Sequence, residues 1–310
     1  VYPKACALCA YHDAMMGNAP YVGRYAPSPT GPLHAGSMAT ALASWLDARA
    51  HGGRWLVRIE DVDTPRCSPQ AAATILSQLQ ACGLHPDGEV QCQSQHQDAY
   101  ADALAALQRA GLAYGCACSR QDIWRAQGSA VAGGGTPPYP GTCRRGTGGR
   151  PPRAWRLSTA RVGWLCWHDR RLGPQDQWLE QSVGDFVLRR ADGLWSYQLA
   201  VVIDDAAQGV TDVVRGEDLA DNTPRQRLLQ QVLNLPRLRY LHTPLVRDGD
   251  GYKLSKQTGA CPVDTHSAAA VHKTMGDAAK ALGLLPPRAN QLIADWLSQA
   301  TRQWADRWGL

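Results

Sequence analysis

The sequence predicts an α/β protein: a parallel sheet with crossover helices, interrupted by a loop-rich insertion and followed by a small helical region. Strand-like and helix-like stretches alternate from residue 21 to residue 110. Regularity then fails over residues 114–153, where Gly133-Gly134-Gly135, Pro137-Pro138, Gly148-Gly149 and Pro151-Pro152 fall together. With 310 residues and 44% hydrophobic content, the chain has material for about two ordinary domains. Disorder, collagen and a miniature disulfide scaffold are excluded.

Taken in order, residues 1–20 carry no sustained period and read as an extension. Residues 21–25 (YVGRY) read as a strand, 26–33 as a Pro/Gly-punctuated loop, and 37–50 as a helix with Ala, Leu and Trp at helical spacing. A second strand follows over 55–60 (WLVRIE), then helices over 69–82 and 97–110. Short apolar and aromatic runs between 154 and 188 predict further strands. Residues 196–204 (SYQLAVVID) predict the clearest late strand, followed by another over 210–215 and a helix over 222–233. Beyond the turn Asp248-Gly249-Asp250-Gly251 the chain reads as helical.

A net charge of +5 permits a polyanionic partner without demonstrating one. The only lysines are Lys4, Lys253, Lys256, Lys273 and Lys280, so arginine supplies most of the positive charge. No apolar run reaches the 18 or so residues of a spanning helix, so no membrane role is expected. Residues 5–11 faintly imitate a signal peptide but run into His12-Asp13 without a convincing cleavage site. Ten scattered cysteines in a chain of this size point to metal ligation or burial in a reducing cytoplasm.

Chemistry concentrates in two segments. Residues 26–37 (APSPTGPLHAGS) lie between a strand and a helix, where backbone N–H groups and the helix dipole favour a phosphate. Thr30 and His34 can donate to phosphate oxygens, and Gly36 lets a flat base approach the backbone. By itself the segment reads equally as a proline-rich turn with a structural histidine. The second segment, Lys253-Leu254-Ser255-Lys256-Gln257, offers cations for charge developing on a triphosphate.

Together these two segments resemble, in order and spacing, the two ATP-binding signatures of class I aminoacyl-tRNA synthetases. Residues 23–31 (GRYAPSPTG), 57–63 (VRIEDVD) and 213–219 (VVRGEDL) resemble the glutamyl branch, and the resemblance covers about residues 21–264. A substrate with one ammonium and two carboxylates suits arginines for the carboxylates and a glutamate for the ammonium. The resemblance implies a Rossmann-type catalytic domain. It implies that Arg24, Tyr25, Ala26, Pro27, Ser28, Glu60, Tyr197 and Arg215 bind glutamate. It assigns Thr30, His34, Gly36, Ser37 and Lys256 to ATP, with Thr30, His34, Lys253 and Lys256 stabilising the transition state and Mg²⁺ accompanying ATP.

Cys116-x-Cys118 followed by Tyr139-x3-Cys143 places three soft ligands and a phenol in a loop with little other means of holding a shape. This spacing resembles the structural zinc site of the glutamyl-queuosine tRNA(Asp) synthetases, implying one Zn²⁺ per chain. Cys6-x2-Cys9 with His12 has no second half and stays unassigned. Only about fifty residues follow Gln257, too few for the anticodon-binding domain of ordinary glutamyl-tRNA synthetases. The truncated family activates glutamate without tRNA and attaches it to queuosine in the wobble position of tRNA(Asp).

The expected organisation is an extension (1–20), the first half of the catalytic domain (21–113), a zinc-bearing insertion (114–153), the rest of the insertion with the second half of the sheet (154–220), a stem-contact region with the lysine loop (221–260) and C-terminal helices (261–310), in a cytoplasmic monomer. The first signature ends His-Ala-Gly-Ser where the class has His-Ile-Gly-His, and Leu254 and Gln257 replace Met and Ser. Two alternatives remain at this stage: a glutamyl-tRNA synthetase fragment charging tRNA(Glu) or tRNA(Gln), and a non-catalytic binding paralogue.

Overall fold

The computed structural model describes residues 20–127, 137–246 and 261–310. Its central seven-stranded sheet comprises β1 (Val22–Tyr25), β2 (Arg54–Ile59), β3 (Gln91–Cys92), β6 (Trp164–Asp169), β7 (Gly173–Trp178), β9 (Asp212–Gly216) and β10 (Arg239–Thr243), in the order β3-β2-β1-β9-β10-β6-β7. All neighbours pair in parallel except the β6–β7 hairpin. A separate antiparallel sheet, β4-β5-β8, is built from Ala113–Cys116, Ala154–Leu157 and Phe186–Arg189. The expected parallel α/β architecture is present.

Crossover helices arise where apolar spacing and caps agree. Helix α1 (Ala35–Ala50) buries Met38, Leu42 and Leu46 against the sheet, and Gly52 and Gly53 then turn the chain into β2. Gly53 is required there, because a Cβ would sit 2.4 Å from the Tyr21 carbonyl oxygen. Helix α2 (Pro69–Ala81) begins at Ser68, whose hydroxyl accepts from the Ala71 amide, with Pro at its first turn. Helix α3 (Gln97–Arg109) buries Tyr100, Leu104 and Leu107.

Two sequence expectations need correction. The insertion holds more regular structure than expected, because β4 runs into residues 114–153 and helix α4 (Arg120–Gln127) falls within them. Residues 196–204 form no strand: α5 (Tyr197–Ala207) is a helix capped by Ser196, whose hydroxyl accepts from the Leu199 amide. An apolar run buried all round has no period to distinguish strand from helix, and α5 buries Leu199, Ala200, Val201, Val202, Asp204 and Asp205. Besides a single turn at Leu179–Ser182, further helices are α6 (Thr223–Val232), α7 (Ala268–Ala281) and α8 (Ile293–Trp308). The last packs Trp296 and Trp304 into the core that contains α1. The turn at residues 248–251, both signature lysines and Cys6, Cys9 and His12 lie outside the described residues.

Candidate active site and metal centre

From β1 the sheet runs outward through β2 and β3, and on the other side through β9 and β10. Ligands of such sheets bind over the carboxyl ends of the strands where the order reverses. A cleft of about 1000 Å³ lies there. Arg24, Tyr25, Ala26, Pro27 and Ser28 line it from the end of β1, Glu60 from the end of β2, Tyr197 from the first turn of α5, and Arg215 from β9. Thr30, His34, Gly36 and Ser37 line it from the loop and the N-terminus of α1. The structure thus brings together every described residue that sequence reasoning placed in the glutamate and ATP sites.

The helix end that lines the cleft has an unusual cap. The His34 ring accepts from the Ser37 amide at 3.4 Å, while the Ser37 hydroxyl accepts from the His34 amide and donates to the His34 carbonyl, both at 2.8 Å. The Ser37 hydroxyl hydrogen and amide are therefore committed locally, and Ala35 and Gly36 carry the first-turn amides without an intrahelical acceptor. Val246 lines the cleft, and Pro262 bridges His34.

Beneath the cleft, charged side chains are buried in a connected set. Arg24 Nε donates to Asp205 Oδ1 at 3.1 Å, and Arg58 Nη2 to the same oxygen at 2.7 Å. Arg58 also lies 3.4 Å from Glu60 Oε1 and 3.8 Å from Asp204. Asp204 accepts from Tyr100, Gln93 and His96 at 2.7–2.9 Å. Burial alone would raise the Asp205 carboxyl, but Arg24 and Arg58 hold it below the usual range. At Glu60 burial prevails over the same two arginines, and its carboxyl is pushed up to about 7.

Arg215 is 3% exposed and bonded differently. Its Nε donates to His242 Nε2 at 3.0 Å, Nη1 to Gln226 at 2.7 Å and Nη2 to Thr223 at 2.9 Å; the Tyr197 hydroxyl lies 3.5 Å from Nη1. Among the described residues no carboxylate pairs with it. A buried cation surrounded by neutral acceptors is costly unless an anion arrives.

Sequence reasoning missed Arg58, Asp204, Asp205, Asp169, His242, Thr223 and Gln226. One signal was available: Arg58 interrupts Leu56-Val57-Ile59, and Asp204-Asp205 ends a run of apolar residues. Charges inside otherwise buried segments demand partners.

The second cluster sits in the insertion. Cys116, Cys118 and Cys143 hold their sulfurs within 4.8 Å of one another. Cys118 Sγ lies 3.5 Å from Cys143 Sγ, and the Tyr139 hydroxyl lies 3.3 Å from Cys116 Sγ and 3.5 Å from Cys118 Sγ. A tetrahedral ion with sulfur at about 2.3 Å and oxygen at about 2.0–2.2 Å spaces such ligands by roughly 3.5–3.8 Å. The four side chains therefore fit one metal ion with modest expansion. The cluster's own buried core is only Cys116, Ile123, Tyr139 and Cys143, too small to order a loop unaided. Gly184, at φ +67°, lets the Tyr139 backbone dock, since a Cβ there would lie 2.2 Å from the Tyr139 carbonyl oxygen.

Comparison with known proteins gives concordant results. The family model for the catalytic domain of class I tRNA synthetases (E and Q) matches residues 21–282. The glutamyl-Q tRNA(Asp) synthetase of Leptothrix cholodnii is 59% identical over 298 residues, spanning 92% of this chain and 97% of that protein. That of Albidiferax ferrireducens is 54% identical, spanning 94% and 99%. A glutamate tRNA ligase from Elizabethkingia meningosepticum, solved with its amino acid, superposes with a TM-score of 0.67 at 27% identity. That match covers 78% of this chain and 53% of the ligase, so the chain spans about half the length of that enzyme.

Proposed function

The chain belongs to the glutamyl-Q tRNA(Asp) synthetases, within the class I tRNA synthetases of the E and Q type, and we propose that it activates L-glutamate with ATP, without tRNA, and transfers it to queuosine at the wobble position of tRNA(Asp). One observation carries the choice of amino acid: Arg215, a buried cation whose described partners are all neutral, faces the same cleft as Glu60. Arg215 receives a glutamate carboxylate through paired N–H groups, and Glu60 accepts from the ammonium. Arg24 is already neutralised by Asp205; it orients the second carboxylate through its remaining N–H groups, beside Ser28 and Tyr197.

In the first step a carboxylate oxygen of glutamate attacks the α-phosphorus of ATP. The bond to the β-phosphate breaks, releasing pyrophosphate and leaving glutamyl-adenylate. The chain supplies positioning and charge stabilisation and no nucleophile. Thr30, His34 and the first amides of α1 hold phosphate oxygens, Gly36 leaves space for the base, and Lys253 and Lys256 neutralise charge on the departing phosphates. Mg²⁺ accompanies ATP as a phosphate-bound counter-ion. In the second step a hydroxyl of the queuosine cyclopentene-diol attacks the adenylate carbonyl, AMP leaves with the bonding pair, and the hydroxyl proton passes to solvent.

Cys116, Cys118, Tyr139 and Cys143 would hold Zn²⁺, which would supply shape to the insertion and no chemistry to either step. The segment boundaries expected from sequence, at residues 20, 113, 153, 220 and 260, remain our division of the chain, and a cytoplasmic monomer our assignment. The test is ATP–pyrophosphate exchange with glutamate, glutamine or aspartate, with and without total tRNA. Glutamate alone should support exchange. Exchange appearing only when tRNA is added would favour an ordinary glutamyl-tRNA synthetase activity, and none under any condition a binding protein.

A further inference from the structure

Arg215 has an unusual support behind it. We infer that Asp169 and His242 form a buried two-residue relay that fixes the orientation of Arg215 and thereby sets the affinity for glutamate. This rests on the reading above in that Arg215 is taken to meet a glutamate carboxylate.

The relay follows from strand register. Parallel pairing of β9 with β10 puts His242 beside Arg215, and pairing of β10 with β6 puts Asp169 beside Tyr240. The side chains of Asp169 and His242 are both 0% exposed. Asp169 Oδ1 accepts from the amides of Arg171 and Leu172 at 3.0 and 2.8 Å. Its Oδ2 meets His242 Nδ1 at 2.6 Å and accepts from the His242 amide at 3.1 Å. A carboxylate so placed keeps the ring proton on Nδ1, which leaves a lone pair on Nε2 for the Arg215 Nε–H at 3.0 Å.

A protonated imidazole would oppose two N–H groups across that gap. Burial and the neighbouring Arg215 lower the His242 pKa against the pull of Asp169, in keeping with a neutral ring. With Nε fixed by His242, and Gln226 and Thr223 each taking one N–H from Nη1 and Nη2, one hydrogen remains on Nη2 and one on Nη1 among the described residues. The latter meets only the Tyr197 hydroxyl at 3.5 Å. These two hydrogens are the ones a carboxylate can take, the long Tyr197 contact giving way to it. Asp169 and His242 are positioning residues; Arg215 makes the contact.

The relay is testable because Asp169→Asn is nearly isosteric yet reverses it. In that variant the amide oxygen must stay with the Arg171 and Leu172 amides, so the amide nitrogen faces His242 and donates to Nδ1. The ring then carries its proton on Nε2, facing Arg215. The KM for glutamate in pyrophosphate exchange should rise about tenfold or more, as expected for a broken hydrogen bond to a charged group. The KM for ATP should change little; the Tm should fall, because the new amide nitrogen also opposes the buried His242 amide. His242→Gln, whose amide oxygen can take the place of Nε2, should stay near the wild-type KM for glutamate. His242→Asn, which can reach Asp169 but not Arg215, should not.

¹⁵N NMR of the ring, assigned with the His242 variants, should show the Nδ1–H tautomer in the wild type. An Nε2–H tautomer there overturns the relay even if Asp169→Asn fails to fold. So does an unchanged KM for glutamate in a folded His242→Asn. A purely structural role would shift the KM values for glutamate and ATP alike, which also overturns it. Lack of glutamate-dependent exchange in the wild type would instead remove the reading on which the relay rests, while the tautomer still reports on the relay itself.

Discussion

Glu60 illustrates how one residue's surroundings set a measurable property. Desolvation in the cleft floor pushes its carboxyl up to about 7 despite Arg58 and Arg24 nearby. A substrate ammonium favours the ionised form, so binding must release the proton wherever Glu60 still holds it. Glutamate affinity is therefore full above about pH 7 and falls as pH drops below it. The KM for glutamate should rise about tenfold from pH 8 to pH 6. Glu60→Gln should raise the KM at all pH values and flatten the profile; a wild-type profile flat over this range contradicts the assignment.

Asp47 ties the C-terminal helix α8 to the catalytic sheet. Its carboxylate, fully buried, accepts two hydrogen bonds from Arg170 at 2.7 Å, one from Tyr21 and one from Trp304 at 2.8 Å. It thereby joins α1, the approach to β1, the β6–β7 turn and α8. Burial alone would raise this carboxyl, but Arg170 leads the groups that hold it below its ordinary value. Its stabilising contribution is therefore complete above about pH 4 and is lost as the pH falls through the lowered value. Asp47→Ala should cost about 3 kcal/mol in urea unfolding at pH 7, since it strands a half-buried Arg170.

The metal loop depends on its ligands in the same way. Cys143→Ser should reduce bound zinc from one per chain to near none and impair transfer to tRNA more than pyrophosphate exchange. Metal content and the two assays read this directly. The elements also show what a sequence can carry. Helices α1, α2 and α3 were legible because periodicity, Ser68 and Pro69 agree locally. Helix α5 was not, because burial of most of its residues blurred its period, and neither were β3 and β10, which are short and defined by their neighbours. The site was legible where residues act through a contiguous motif, as with Pro27 to Ser37, and illegible where Asp169, His242 and Arg215 meet only through three-dimensional pairing.

Across the whole molecule the charge is uneven. Residues 114–161 contain Arg120, Arg125, Arg144, Arg145, Arg150, Arg153, Arg156 and Arg161 against Asp122 alone, more positive charge than the +5 of the entire chain. Arg144 is bound to Asp185 and Arg156 lies over the Tyr139 ring, but Arg145, Arg150 and Arg153 are exposed. Their replacement by Gln should weaken tRNA binding and lower the slope of log affinity against log salt by about one for each that meets a phosphate. Pyrophosphate exchange should be untouched.

The central claim concerns where glutamate ends up. Purified protein would be incubated with labelled glutamate, ATP, magnesium and tRNA(Asp) either containing or lacking queuosine, and the labelled tRNA mapped by nuclease digestion. The account predicts label only with queuosine-containing tRNA(Asp), confined to the anticodon fragment. Label on the 3′-terminal adenosine, or equal labelling of tRNA without queuosine, would contradict it.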